Sequence, residues 1–165
     1  MDFARIIRHL VTTHWQVRRA FPKATLEAVE EAIRSSETAY AGQIRFVVEG
    51  ALHIRPLLRG QTARERALDV FSILRIWDTE HNNGVLIYLL FADHAVEIVA
   101  DRGVHSRVRE PAWRAVCQEM EKALRSGNYE SGVVNGIKAV TRHVIEHYPA
   151  RAGGTNELPD RPVVW

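Results

Sequence analysis

Apolar and polar positions recur along the chain with two periods, and these periods predict where strands and helices lie. Residues 43–49 alternate with a period of two, which is typical of a strand with one strongly apolar face. Residues 85–91 form a short continuous apolar run that indicates a central strand covered on both faces, and residues 95–100 return as the second strand of a hairpin. Apolar spacings of three and four residues predict helices around these strands. The predicted helices cover roughly residues 3–20, 26–39, 63–74, 111–125 and 129–147.

This order of elements predicts an α/β fold, a single-domain α/β/α sandwich with a small mixed sheet. The first two strands are joined by a helical crossover and should be parallel, whereas the third should return antiparallel to the second. Two glycines and a proline predict a loop at residues 50–61. We expect three segments along the chain: an N-terminal amphipathic helix at 1–21, the main domain at 22–149 and an irregular tail at 150–165.

The N-terminal segment combines an apolar helical stripe with basic side chains. Four arginines stand against one carboxylate, Asp2, within its first twenty residues. A basic amphipathic helix can lie on an anionic membrane, so one interpretation is peripheral membrane contact through residues 3–19. The alternative is a helix half-buried against its own domain, which is the commoner arrangement.

Composition narrows the class of protein. The 165 residues are 46% apolar and 25% charged, as in an ordinary globular domain. The net charge of +2 does not favour a nucleic-acid partner. The sequence contains no apolar stretch of membrane-spanning length and no signal-peptide pattern, so we expect a cytoplasmic protein.

The charges are distributed least evenly between Ile76 and Asp101. This stretch contains five carboxylates and no Lys or Arg. The predicted topology brings the end of the third strand back to the start of the second, with the start of the first strand at the same end. Carboxylate and amide oxygens are the ligands that Ca²⁺ and Mg²⁺ prefer, so the sequence predicts a divalent metal site. Its candidate ligands are Glu37, Asp78, Asn82, Asn83 and Asp101. Alternatively, these residues are turn and cap formers.

Two further motifs favour structural roles. The stretch from His143 to His147 matches the H-x-x-E-H spacing of inverted zinc peptidases, which also need a carboxylate downstream. Only Glu157 and Asp160 are available there, so histidines near a helix C-terminus are the better interpretation. The single cysteine, Cys117, lies on the apolar side of its predicted helix and is interpreted as a core residue.

Several segments resemble the TPM domain family, named after a thylakoid-lumen protein, a photosystem II repair factor and a nematode receptor modulator. The resemblance covers about residues 26–148, in the family's order and spacing. It includes an N-N-G-V-L strand start at 82–86 and an R-x-G-x-Y-x-x-G stretch at 125–132. The segments that carry it are residues 42–49, 77–88, 96–103 and 120–136.

The resemblance implies an α/β/α sandwich with divalent metal binding at the strand-end loops. Here the metal site transfers only to the neighbourhood of Asn83, Gly84 and Asp101, because the family's frequent Gly-rich stretch after the third strand is replaced by A-D-R-G-V. The family includes members with weak acid phosphatase activity and members that act as accessory factors for membrane complexes. Most members carry a signal peptide and a C-terminal anchor. The sequence shows neither, which predicts a soluble bacterial member.

Two hypotheses from different classes follow. In the first, the chain is a Ca²⁺- or Mg²⁺-dependent phosphoester hydrolase, with Asp78, Asn83 and Asp101 on the metal and Arg102 neutralising phosphate charge. His81 and His105 are the neighbouring groups that could assist. In the second, the chain is a non-enzymatic accessory module that docks to a membrane-associated or protein complex through the same loops or through the N-terminal helix.

Overall fold

The computed structural model describes residues 2–39, 41–149 and 156–165, which form helices on both faces of a mixed sheet. A 3-10 turn at Phe91–Asp93 connects the second and third strands. The helices are α1 (Phe3–Val11), α2 (His14–Ala20), α3 (Lys23–Ala39), α4 (Ile54–Leu58), α5 (Ala63–Ile73), α6 (Arg102–His105), α7 (Glu110–Arg125) and α8 (Tyr129–Ile145). The strands are β1 (Gln43–Glu49), β2 (Gly84–Leu90), β3 (Ala95–Ala100) and β4 (Val163–Val164).

The sheet has the strand order β3-β2-β1-β4. Strand β1 runs parallel to β2, and β2 runs antiparallel to β3, as the crossover and the hairpin predict. Every residue of β1 and β2 is buried, which explains why the apolar run of β2 is continuous.

Alternate residues of the central strands enter two separate apolar layers. Phe46 and Ile87 pack in one layer with α3, α7 and α8. Leu86 and Tyr88 pack in the other with α4 and α5. The predicted α/β/α sandwich with a small mixed sheet is therefore confirmed.

The N-terminal segment differs from the single predicted helix. It forms two helices because the chain breaks at Thr12 and Thr13, where Thr13 and Gln16 make a capping box that starts α2. Helix α3 begins at Lys23 rather than after Thr25, whose hydroxyl instead donates a hydrogen bond to Glu130 of α8 at 2.9 Å. The predicted loop at 50–61 contains the short helix α4.

The C-terminal segment is more regular than the predicted irregular tail. Residues 150–155 of that tail lie outside the described residues, but residues 163–164 form β4 and pair parallel with β1. Two polar side chains of β1 hold the preceding residues. Gln43 Oε1 accepts hydrogen bonds from the backbone N–H groups of residues 157 and 158, and the Arg45 guanidinium donates to the carbonyl oxygens of Pro159 and Arg161.

Candidate functional site

The predicted ligands that directly precede β2 and directly follow β3 lie at one end of the sheet, where β1 and β2 begin and β3 finishes. We term this the loop end. The backbone N–H of Asp101 donates to the carbonyl of Gly84 at 2.9 Å, and the N–H of Gly103 donates to the carbonyl of Asn82 at 3.1 Å. The structure therefore brings residues 82–84 against residues 101–103.

A tight turn at residues 79–83 gives the loop end its shape. The Thr79 hydroxyl accepts a hydrogen bond from the backbone N–H of Asn83 at 3.1 Å, and Asn82 has a left-handed φ of 51°. Asparagine tolerates that conformation better than most residues. Gly103 faces the turn so closely that a Cβ there would lie 2.5 Å from the carbonyl oxygen of Asn82. Only glycine permits this approach of the two loops.

Asp101 is the most informative side chain at this end. It is 6% exposed and caps α6, with its Oδ1 accepting a hydrogen bond from the backbone N–H of Arg102 at 2.6 Å. The cap interpretation therefore accounts for one carboxylate oxygen. The other oxygen, Oδ2, is buried and has no hydrogen-bond partner among the described residues. A buried carboxylate oxygen without a partner is costly, and a bound cation would satisfy it.

The two asparagines play different parts. Asn83 is 2% exposed, and its side-chain amide donates to the carbonyl oxygen of Ala41, which ties the turn to the segment before β1. Asn82 is exposed, with its backbone carbonyl directed at Gly103. The backbone hydrogen bond from Gly103 to Asn82 therefore brings this pair next to the segment that begins at Asp101.

The remaining two predicted ligands are less closely tied to Asp101. Asp78 is exposed, and its backbone N–H donates to the carbonyl of Arg75 at 2.9 Å. Glu37, near the end of α3, interacts with Asp160 and Arg34. Burial, together with the neighbouring Asp160 carboxylate, raises the pKa of Glu37 to about 8. Its contacts connect Glu37 to the C-terminal segment rather than to Asp101.

The described part of the chain contains no group of three His, Cys, Asp or Glu side chains that could hold a metal ion. A cation at the loop end would consequently depend on the Asp101 carboxylate together with amide and backbone carbonyl oxygens, a donor set suited to Ca²⁺ or Mg²⁺ rather than to zinc. Arg102, His81 and His105 are exposed around it.

Neither of the other two sequence motifs forms a reactive site. Helix α8 ends at Ile145, so His147 of the H-x-x-E-H match lies beyond the last helical residue and does not share a helix face with His143. Burial raises the pKa of Cys117 to about 12, which keeps this side chain a neutral thiol near neutral pH.

The C-terminal segment borders the loop end, a contact that sequence patterns did not predict. Glu157 Oε2 accepts a hydrogen bond from the backbone N–H of Glu80, within the stretch that shapes the turn, at 3.0 Å. The available signal was the pair of polar residues Gln43 and Arg45 at alternate positions of a buried strand. Both are buried and bind this segment.

The family model for the TPM domain matches residues 18–143, well over half of the chain. The chain belongs to the TPM domain family. Helix α1 lies before the matched part of this TPM domain. No helix in the described ranges is long and apolar enough to cross a membrane.

Solved structures with the same fold extend the comparison. The NMR structure of BA42 protein from the psychrophilic bacterium Bizionia argentinensis aligns with a TM-score of 0.75 at 27% identity, covering 86% of this chain and 93% of that chain. The N-terminal domain of a P. gingivalis protein aligns with a TM-score of 0.59 at 21% identity, covering 76% and 79%, and shows the fold alone. No curated protein matches this TPM domain.

Proposed function

We propose that this TPM domain binds one divalent cation, Ca²⁺ or Mg²⁺, at the loop end, with Asp101 as its principal ligand. The observation that carries the proposal is the Asp101 Oδ2 atom, which is buried and has no hydrogen-bond partner among the described residues. The side chain is held in place by its own cap hydrogen bond, so the oxygen is positioned before any ligand arrives.

The neighbouring 79–83 turn would supply the other oxygens. The carbonyl of Asn82 accepts a backbone hydrogen bond from Gly103, and Gly84, directly after Asn83, accepts one from Asp101. The exposed Asp78 directly precedes this turn in the chain. With one buried carboxylate and mostly neutral oxygens, the site resembles the weaker end of calcium and magnesium sites. Glu37 is left out of the proposed ligand set because it interacts with Asp160.

The activity to be tested at this site is phosphoester hydrolysis. A bound divalent cation supplies Lewis-acid polarisation of a phosphoryl group. Arg102, exposed at the first position of α6, would bind a phosphate oxygen, and His81 or His105 would deliver a proton to the leaving oxygen. We expect turnover far below the ordinary enzyme rate of about 10 per second, because all three side chains are exposed rather than held in a shaped pocket.

A second candidate function is an accessory module that docks through the same end of the sheet. Two exposed apolar side chains favour it: Ile73 is 60% exposed at the end of α5, and Trp77 is 50% exposed beside Asp78. Exposed tryptophan is frequent at protein interfaces. Substituting Trp77 by Ala would weaken such docking and leave cation binding unchanged.

The experiment is a calorimetric titration of the chelator-treated protein with Ca²⁺ and with Mg²⁺. The Asp101→Asn variant should lose most of the cation affinity, because the change removes the charge and keeps the shape. The matched control is Asp69→Asn, an exposed aspartate on α5, which should bind as the wild type does. Equal affinity in all three proteins would refute Asp101 as the ligand.

Hydrolysis of an activated aryl phosphate by the same proteins tests the catalytic part separately. We expect slow, cation-stimulated turnover by wild type and by Asp69→Asn, and a loss with Asp101→Asn and with Arg102→Ala. If cation binding is retained while all variants share one trace rate, the accessory function replaces the hydrolase.

A further inference from the structure

Helix α1 is attached to the domain by its polar side. Arg5 donates to Asp93 Oδ2 through Nε at 2.9 Å and lies 2.8 Å from it through a second nitrogen. His9 is 4% exposed, with Nε2 3.1 Å from Asp93 Oδ1 and Nδ1 accepting the backbone N–H of Leu52 at 3.0 Å. These contacts fix which side of the helix faces inward.

The apolar side of α1 consequently faces outward. Phe3, Ile7, Leu10 and Val11 have the i, i+4, i+7 and i+8 spacing of one helical face. Their exposed fractions are 73%, 50%, 66% and 59%. An amphipathic helix usually buries such a stripe against its own domain, and contiguous exposed apolar surface of this kind marks a binding surface.

The charge around this stripe is mainly positive, although Asp93 lies 3.5 Å from Arg8 and also binds Arg5. Between Phe3 and Leu26 the chain has five Lys or Arg residues and no Asp or Glu. Arg8, Arg18 and Arg19 are exposed. The Arg19 guanidinium lies 5.3 Å from the ring centre of Trp15, which is itself 63% exposed on α2. Apolar side chains, an exposed tryptophan and arginines are together the composition of an interfacial membrane helix.

We propose that α1 and the start of α2 form a membrane-binding surface for bilayers that contain anionic phospholipids. Helix α1 would lie in the plane of the interface, with its apolar stripe among the acyl chains and the arginines on lipid phosphates. The helix needs no rearrangement, because Asp93 already holds its polar side against the domain. The surface is distinct from the cation site, and the inference does not rest on that site.

Charge complementarity selects this occupant over a second copy of the chain. A symmetric dimer built on the α1 stripe would bring the same arginines of two copies close together. Asp93 pairs with Arg5 and Arg8, but the chain between Phe3 and Leu26 contains no carboxylate to offset Arg18 and Arg19. An anionic lipid surface meets both the apolar stripe and the arginines.

The test is flotation of the purified protein, in chelator, with vesicles of pure phosphatidylcholine and of equimolar phosphatidylcholine and phosphatidylglycerol. Wild type should float with the anionic vesicles alone, and less so as salt is raised. Leu10→Glu should lower vesicle binding about tenfold or more. The variant loses a leucine that would be buried in the bilayer, and it adds a negative charge that the anionic lipids repel. Replacing both Arg18 and Arg19 by Gln should lower vesicle binding about thirtyfold.

The matched control is Leu68→Glu, which changes a leucine that is 46% exposed on α5. It should bind vesicles as the wild type does. Because Leu10 and Leu68 both face solvent, all variants should melt as the wild type does. The proposal is overturned by no binding, by equal binding to both vesicle types, or by wild-type binding of Leu10→Glu. A concentration-dependent dimer that Leu10→Glu abolishes, without vesicle binding, would assign the stripe to a second copy instead.

Discussion

Buried carboxylates occur at both ends of the sheet, and the two ends supply them with different partners. At the far end, where β1 and β2 finish, Glu49 accepts two hydrogen bonds from Arg66, at 2.8 and 2.9 Å, and one from the Tyr88 hydroxyl at 2.7 Å. Asp93 at the same end is held by Arg5 and His9. At the loop end, the Asp101 carboxylate accepts one hydrogen bond from the described residues, from a backbone N–H, and Glu37 interacts with a second carboxylate, Asp160.

This difference separates structural carboxylates from a candidate ligand. Burial alone would raise the pKa of Asp93, but hydrogen bonds from Arg5 and His9 outweigh it and bring this pKa below its ordinary value. Burial raises the pKa of Glu37 instead, and Asp160 adds to the effect. The chain therefore neutralises its carboxylates at the far end with its own cations, whereas the cation proposed for the loop end would supply the partner that Asp101 Oδ2 lacks among the described residues.

The largest expected effect is at the far end, in Arg66→Met. This variant leaves Glu49, which is 4% exposed, without its cation. We expect unfolding in urea to show a loss of about 3 kcal/mol, the usual result of removing one partner of a buried pair. The control is Arg125→Met, which changes an exposed arginine whose half-buried partner Glu121 lies 3.1 Å away on α7. It should cost less than about 1 kcal/mol, and equal losses in the two variants would contradict the comparison.

Asp93→Asn tests the attachment of α1. The substitution removes the charge that Arg5 and His9 share, and we expect a loss of about 1–2 kcal/mol with faster hydrogen exchange of the α1 amides. In wild type, the stabilisation by Asp93 is present above its ordinary pKa of 3.8 and is lost as the pH falls below it, because its pKa is lowered in the folded state. Unchanged exchange in α1 would show that other contacts hold this helix.

Glu37→Gln tests the carboxyl pair through its pH dependence. A carboxyl group whose pKa rises from 4.5 to about 8 stabilises the folded state fully below pH 4.5, and this contribution is lost as the pH rises to about 8. Wild type should lose stability across that window. The variant should lose less stability than the wild type, by on the order of 1 kcal/mol, since the half-buried group is partly screened by solvent.

Melting curves at about pH 5 and pH 9 measure this loss of stability, with the variant Glu31→Gln, which changes an exposed neighbour of Glu37, as control. Parallel losses in all three proteins would refute the interaction between Glu37 and Asp160.

The smallest change in stability is expected for Asp101→Asn in chelator. Asparagine caps a helix as well as aspartate does, and the substitution removes a buried charge that pairs with no Lys, Arg or His of the described residues. The melting temperature should therefore stay the same or rise slightly, opposite in direction to Asp93→Asn. A clear fall in the melting temperature would mean that Asp101 already has a compensating partner within the fold.

Much of the fold could be predicted from the sequence because local patterns decide it. The apolar run of β2 and the capping box of Thr62 and Glu65 at the start of α5 specify their elements within a few residues. The break before α2 carried a similar local signal in Thr13 and Gln16. Strand β4 could not be predicted, because two residues pair with β1 only through contacts more than a hundred positions apart in the chain.

Two features could not be predicted from local patterns: the orientation of α1 and the composition of the candidate site. Periodicity identifies the apolar stripe of α1, but Asp93, more than eighty positions away, determines which side faces the domain. Topology predicted that residues 82–84 would meet Asp101. It also grouped Glu37 with them. The interaction of Glu37 with Asp160 could not be predicted in this way, because it depends on where the C-terminal segment runs.

The most direct test of the central claim is an NMR titration of the ¹⁵N-labelled protein with Mn²⁺, a paramagnetic substitute for Mg²⁺. Relaxation broadening should centre on residues 82–84 and 101–103, should be reversed by excess Mg²⁺ or Ca²⁺, and should disappear from this region in Asp101→Asn. Glu49 and Asp93, which have cations of their own, should remain sharp. Broadening centred at the far end, or identical broadening in Asp101→Asn, would contradict the assignment of the loop end as the cation site.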